Sequence, residues 1–278
     1  MGTVVSLTAA FSGHEDESVE RLEAASRVIE DDFEALEERF SLYRDDSEAS
    51  ALARGALRLA HASPEMRAYY SEAVDWRHRT HGAFTAERPD GALDLSGLVK
   101  GRAIAEAGRS LAALGLHHWC LNAGGDVLVS GTPTPSCASP SLQPTGDGGA
   151  YHPGGASDRP WLAGVVDPAD RRTLLGAFPL GGGSVGDSAV NARWALATSG
   201  SAERGDHIWA VGGARPEFVQ VSVAAQEIVT ADVLATAIVA GGREMLDLAT
   251  AQWGVEVLAV MRDGSLLATR GFRAPRAA

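Results

Sequence analysis

Two periodicities run through this 278-residue chain, and the order in which they follow one another limits what it can fold into. Residues 3–11 read as a β-strand. Over residues 17–40, Val19, Leu22, Ile29, Phe33, Leu36 and Phe40 recur at three- and four-residue steps, which places them on one face of an α-helix. The acids between them, Glu20 to Glu38, make its solvated face. Ser63-Pro64-Glu65 combines an N-cap with proline at the first helical position and predicts a helix ending near Gly82. A short strand at 93–95 and a helix at 98–114, stopped by Gly115, come next. Strands are expected at 118–121, 127–130, 161–166, 174–179, 195–198, 207–211 and 218–224. Helices at 230–240 and 244–253 precede a hairpin of 255–261 with 265–270 about Asp263-Gly264. Helices and strands do not strictly alternate, so the pattern favours α+β over a doubly wound sheet.

Residues 131–160 are rich in Pro, Gly, Ser and Thr with almost no large apolar residue. They are expected to be a flexible surface insertion in a domain spanning 1–278, since such a segment cannot bury enough surface to order itself. A net charge of −12 argues against nucleic acid as partner, because phosphate backbones need a basic footprint. Any anionic ligand needs a locally positive or metal-bearing site. Cys120 and Cys137 have no metal-ligand spacing and suggest a reducing compartment. The first residues lack a basic n-region, a long apolar run and a lipidation cysteine, and no stretch approaches the ~20 apolar residues of a membrane span. The expected location is cytoplasmic.

The densest local signal is Leu93-Asp94-Leu95-Ser96-Gly97-Leu98-Val99-Lys100-Gly101-Arg102-Ala103. A strand ends, small residues permit close backbone approach, and a helix opens with Lys100, the sole lysine, in its first turn. A cation there opposes the helix dipole. The mismatch is removed if a phosphate docks on the free N–H groups and pairs with the lysine; a plain strand-to-helix turn with a surface lysine is the alternative. The second signal is Thr230-Ala231-Asp232-Val233-Leu234-Ala235-Thr236, with Thr230 as N-cap and Asp232 in the first turn. Asp232 and Thr236 stand at i, i+4, so a carboxylate and a hydroxyl can converge on one hard cation. Their neighbours are apolar, so the carboxylate is buried and needs a partner, for which Mg²⁺ is one candidate; an ordinary capped core helix is the alternative.

Third, residues 197–208 run from a strand through a small polar turn to His207, which can accept a proton near neutral pH. Asn122-Ala123-Gly124-Gly125-Asp126 is a glycine turn whose amides could meet a ligand or simply close a hairpin. Residues 181–186 match G-x-G-x-x-G, but no convincing helix follows, which argues against a Rossmann site. No Walker A, H-E-x-x-H or C-x-x-C sequence occurs.

In this order the segments resemble the ApbE family, the FAD:protein FMN transferases. The resemblance runs through Met1-Gly2-Thr3, Phe40-Ser41-Leu42-Tyr43 with Ser47-Glu48-Ala49-Ser50, and Gly82-Ala83-Phe84. It continues through residues 94–103, 122–126, 197–208 and 231–237, nearly the whole chain outside the 131–160 insertion. It implies a single domain of mixed sheets with flanking helices. It also implies that Asp232, Thr236 and the backbone carbonyl of Val99 hold Mg²⁺. Tyr43, Ala83, Phe84, Thr85, Ser96, Lys100, Arg102 and Ile208 fall where the family contacts FAD. His207 matches the base that deprotonates a threonine or serine on a target flavoprotein, which then carries FMN while AMP is released. The chain departs from the family pattern at Thr85, usually an acid, and at Trp209-Ala210, which replaces the usual Asp-Pro. The rival readings are hydrolysis of FAD to FMN and AMP, and FAD binding without chemistry.

Overall fold

The computed structural model describes residues 4–11, 15–133, 159–181, 192–200 and 215–273. The strand expected at 207–211, with His207 and Ile208, lies outside the described residues. So do residues 1–3, the glycine string from 182 and residues 134–158 of the expected insertion.

The strands are β1 (Val5–Ala9), β2 (Trp119–Ala123), β3 (Asp126–Ser130), β4 (Trp161–Val166), β5 (Leu174–Leu180), β6 (Ala195–Gly200), β7 (Phe218–Ala225), β8 (Glu256–Met261) and β9 (Leu266–Ala268). Seven of them form one sheet in the order β1-β2-β3-β6-β7-β8-β9, every neighbouring pair antiparallel. β4 and β5 form a separate antiparallel ribbon. The helices are α1 (Glu15–Phe40), α2 (Glu48–Ala53), α3 (Pro64–Arg79), α4 (Ser96–Ala113) and α5 (Ile228–Trp253).

The period of two along the strands decides the layering. Ala195, Ala197, Val221, Val223, Val257 and Ala259 join the core under the helices. Their alternates Leu196, Ala224 and Leu258, with Val127 and Val129, join a second core beneath the ribbon, where they meet Ala163, Val165, Phe178 and Leu180. The sheet is thus covered by helices on one face and by the ribbon on the other. α5 lies across β6 and β7 and against α4, which packs on α1. Val233, Leu234, Ala237 and Ile238 have no exposure. Burial of each Leu or Ile stabilises by about 1.5–3 kcal/mol, and a helix apolar on nearly every side belongs in the centre. Among the described residues no helix is long and apolar enough to cross a membrane.

Three local expectations are corrected. The helix expected from Thr230 begins at Ile228, with Glu227 at the N-cap position and no side-chain cap, so Asp232 sits in the second turn. Buried Ile228 and Val229 anchor that first turn, and packing rather than capping sets its start. α4 likewise begins at Ser96, which moves Lys100 out of the first turn; the Asp94 carboxylate accepts the Ser96 N–H at 3.0 Å and helps open the helix early. The strand at 93–95 reduces to one bridge, Glu87 with Leu93. The helices expected at 230–240 and 244–253 are both present as the two arms of α5, divided at Gly242, whose non-helical φ of 62° and ψ of −149° only glycine adopts readily. Helix α2, capped by the Ser47 side chain on Ser50 N–H, was not anticipated.

Candidate active site

Asp232, Thr236 and Ala240 follow one another at four-residue steps along α5 and line a cavity of about 840 Å³, within the usual size of small-molecule sites. The cavity opens at the end of the sheet where β6 finishes and β7 begins; Thr198, Ser199, Gly200 and Gln220 form that wall. Asp232 is 3% exposed. The Thr236 hydroxyl lies 2.9 Å from that of Ser199. Across from Asp232 runs the first part of α4. A Cβ added at Gly101 would stand 3.1 Å from Val229 Cα and 3.3 Å from the Asp232 carboxylate, so glycine is what lets the two helices close at this point. Ser96, Gly97, Val99 and Lys100 line the same cavity.

Lys100 reaches the cavity wall already engaged. Its Nζ lies 2.5 Å from Oδ2 of Asp126, a carboxylate with no solvent exposure. The other Asp126 oxygen accepts the Thr198 N–H at 2.9 Å. One buried side chain therefore ties α4 to the end of β6. It is placed there by the β2–β3 turn, in which Gly124 and Gly125 both have positive φ, the conformation a two-residue hairpin requires. The Gly125 N–H bonds the Asn122 side chain, and both glycines line the cavity.

Serine and threonine bonds hold the rim. The Ser41 carbonyl accepts from the Ser47 hydroxyl at 2.5 Å and the Ser50 hydroxyl at 3.3 Å, which folds the chain after α1 back on itself and presents Leu42 and Tyr43. Tyr43 is 93% exposed. Thr80 closes α3: its hydroxyl donates to the Trp76 carbonyl and accepts the Phe84 N–H, fixing the turn that brings Ala83, Phe84 and Thr85 to the cavity. On the far side the ribbon contributes Gly164, Val166 and the loop residues Asp167, Pro168 and Arg171. The Gln220 amide donates to the Val166 carbonyl at 2.8 Å and joins ribbon to sheet.

Of the residues singled out from sequence, Tyr43, Ala83, Phe84, Thr85, Ser96, Val99, Lys100, Asp232 and Thr236 come together around this cavity. Arg102 is not among its lining residues. It lies two positions from Lys100 and so on another face of α4, where its guanidinium bonds Glu72 at 2.6 and 2.9 Å. That bond raises its already high pKa. Arg88, Arg171, Asp167, Gln220 and Ser199 line the cavity and were given no role in the sequence reading. The turn-forming Asp167-Pro168-Ala169-Asp170 between two strands was the signal for a loop, but nothing local pointed that loop at a site.

Asp232 and Thr236 offer oxygen only, a buried carboxylate and a hydroxyl. Among the described residues no group of three His, Cys, Asp or Glu side chains is arranged to cage a metal. A hard cation that keeps waters and shares ligands with a substrate phosphate fits such a set. Lys100, Arg88 and Arg171 stand on the same walls as Asp94, Asp167 and Asp232, so the lining carries both signs of charge in an otherwise acidic chain.

The sequence profile of the ApbE family matches residues 1–87 and 85–259. A FAD:protein FMN transferase of Rhodobacter capsulatus is 33% identical over 193 residues, covering 66% of this chain and 30% of that relative, so the chain spans less than a third of that protein's length. Among solved structures, Flavin Transferase ApbE from Vibrio cholerae aligns with a TM-score of 0.67 at 18% identity, over 98% of this chain and 96% of its own. The apbe protein from Thermotoga maritima aligns with a TM-score of 0.66 at 17% identity, over 98% and 95%. At such identities the likeness establishes a common α+β fold, a large antiparallel sheet flanked by helices. The matched sequence profile covers well over half of the residues, and on that ground the chain belongs to the ApbE family.

Proposed function

We propose that this chain transfers the FMN half of FAD to a threonine or serine hydroxyl of a target flavoprotein and releases AMP. The observation that carries the reading is the meeting of Asp232 and Thr236 with the opening of α4 at one cavity. Asp232, Thr236 and the Val99 carbonyl would hold Mg²⁺, which when bound neutralises charge on a diphosphate and on its leaving oxygen. The chain's net charge of −12 makes such local help necessary for a dianionic substrate.

The remaining residues bind and orient. Ser96, Gly97 and Lys100 line the cavity at the opening of α4, and a helix N-terminus with a lysine beside it suits phosphate oxygens. Phe84, Ala83 and Tyr43 offer apolar and aromatic surface to ring systems of FAD. In the reaction the acceptor oxygen bonds to the FMN phosphorus while the bond from that phosphorus to the bridging oxygen breaks. AMP departs with the bridging oxygen, and the hydroxyl proton passes to His207, seven residues beyond the end of β6 in sequence. A base of this kind contributes roughly 10²–10⁴-fold, and positioning supplies much of the rest.

The test is mass spectrometry of a threonine-bearing acceptor domain incubated with this protein, FAD and Mg²⁺. One added FMN per acceptor with equimolar AMP is expected, and Asp232→Ala should abolish both. AMP formed at the same rate without acceptor would identify a hydrolase instead. FAD that stays bound and intact would identify a carrier.

A further inference from the structure

We infer that Ser199 is a positioning residue for the cation site proposed above: its hydroxyl oxygen accepts the hydrogen bond donated by the Thr236 hydroxyl and turns its own proton toward the substrate. The inference rests on that site reading and adds to it a residue with no metal contact of its own.

A hydroxyl has one proton and two lone pairs. The Thr236 and Ser199 oxygens lie 2.9 Å apart, and taken alone either can donate. A cation removes that symmetry. If Thr236 gives a lone pair to the metal, its proton must point elsewhere, and Ser199 Oγ is an acceptor already at bonding distance. Thr236 then donates, and Ser199 can no longer donate back. The Ser199 proton is left for an acceptor in the cavity that Ser199 itself lines, where the diphosphate is proposed to lie. Binding of the cation would thus set one more donor toward the anion.

Ser199 is well fixed for the task. Its strand position pairs with Val221. At the preceding residue the Thr198 N–H is held by Asp126 at 2.9 Å and the Thr198 hydroxyl meets that of Ser222 at 2.8 Å. The acceptor offered to Thr236 therefore does not drift with the strand end. Groups that orient a metal's ligands typically matter about 10–100-fold in metal affinity.

A hydroxyl pair that merely staples β6 to α5 would change stability and leave cation affinity alone, so affinity is the readout. Mg²⁺ is titrated calorimetrically into the full chain saturated with FAD, acceptor absent, for wild type, Asp232→Ala, Ser199→Ala and Ser199→Thr. Expected are Asp232-dependent binding in wild type, affinity lower by about tenfold or more in Ser199→Ala, and recovery in Ser199→Thr, which restores the hydroxyl. Wild-type affinity in Ser199→Ala, or no recovery in Ser199→Thr, overturns the inference while leaving the cation site standing. Absence of Asp232-dependent binding in wild type overturns both. Should Ser199→Ala not fold, Ser199→Cys replaces it, since a thiol is a weak acceptor; undiminished affinity in that variant also overturns the inference.

Discussion

Replacing Lys100 by Met tests how the cavity wall is held, because Lys100 and Asp126 are unequal partners. Asp126 has no exposure, Lys100 keeps 18%, and Nζ and Oδ2 are 2.5 Å apart. Removing one member of a buried ion pair costs about 3–5 kcal/mol, since a charge is left without its counter-charge. Lys100→Met leaves a carboxylate in the interior, relieved in part by the Thr198 N–H, and an effect near the lower end, about 3 kcal/mol, is expected. Asp126→Asn leaves an ammonium at the cavity wall that water can reach, and the amide oxygen still accepts from Thr198. Its expected cost is about 1 kcal/mol.

The double variant has neither charge and should lie close to Asp126→Asn, giving a coupling of about 2–3 kcal/mol in the cycle. In a chain of this size 1 kcal/mol moves Tm by about 2–4 °C, so Lys100→Met should melt roughly 6–12 °C below wild type. Thermal and urea unfolding followed by circular dichroism, without FAD, supply the four values. Additive effects, or a Lys100→Met variant that melts with wild type, would refute the argument that this pair joins α4 to β6.

Gly101→Ala should destabilise by about 1–3 kcal/mol, because its methyl would press on Val229 backbone and on Asp232, and unfolding by urea measures it. Arg102→Gln removes a partly exposed pair with Glu72 and should cost less than about 1 kcal/mol; its FAD affinity by fluorescence titration should stay near wild type, and a large loss would show that the side chain reaches the substrate. Gly242→Ala forces a side chain into a glycine-only conformation beside Glu217 and should cost about 2 kcal/mol or more in the same unfolding assay. Burial pushes the Cys120 thiol up to about 11. In a Cys137→Ser background its alkylation at pH 8 should run about a hundredfold slower than that of an ordinary cysteine and rise about tenfold per pH unit until pH nears 11, because only the thiolate reacts; a normal rate at pH 8 would contradict that burial.

Helix α1 could be read from sequence because its apolar stripe recurs with the helical period over about six turns, and burial on folding acts on that same stripe. α3 was equally plain, since Ser63 caps it through the Met66 N–H and proline fits its first turn. α2 escaped because six residues are too few to display a period, although Ser47 carried the cap. The start of α5 was misplaced for the opposite reason: a plausible cap at Thr230 had less influence than the burial of Ile228 and Val229, and burial is a property of neighbours far along the chain.

By itself the sequence determined the mixture and order of helices and strands, and the local pair Asp232 with Thr236, because four residues along a helix return to one face whatever surrounds them. It also carried the family likeness. Only the tertiary structure decided what that face meets. Lys100 turned out to grip Asp126, Arg102 to bond Glu72 away from the cavity, and the ribbon loop with Arg171 to close the far wall. Ser199, 37 residues before Thr236, came within 2.9 Å of it. Such contacts depend on which sheet edge and which helix ends converge, and convergence is set by packing of the whole core, which no local window of residues contains.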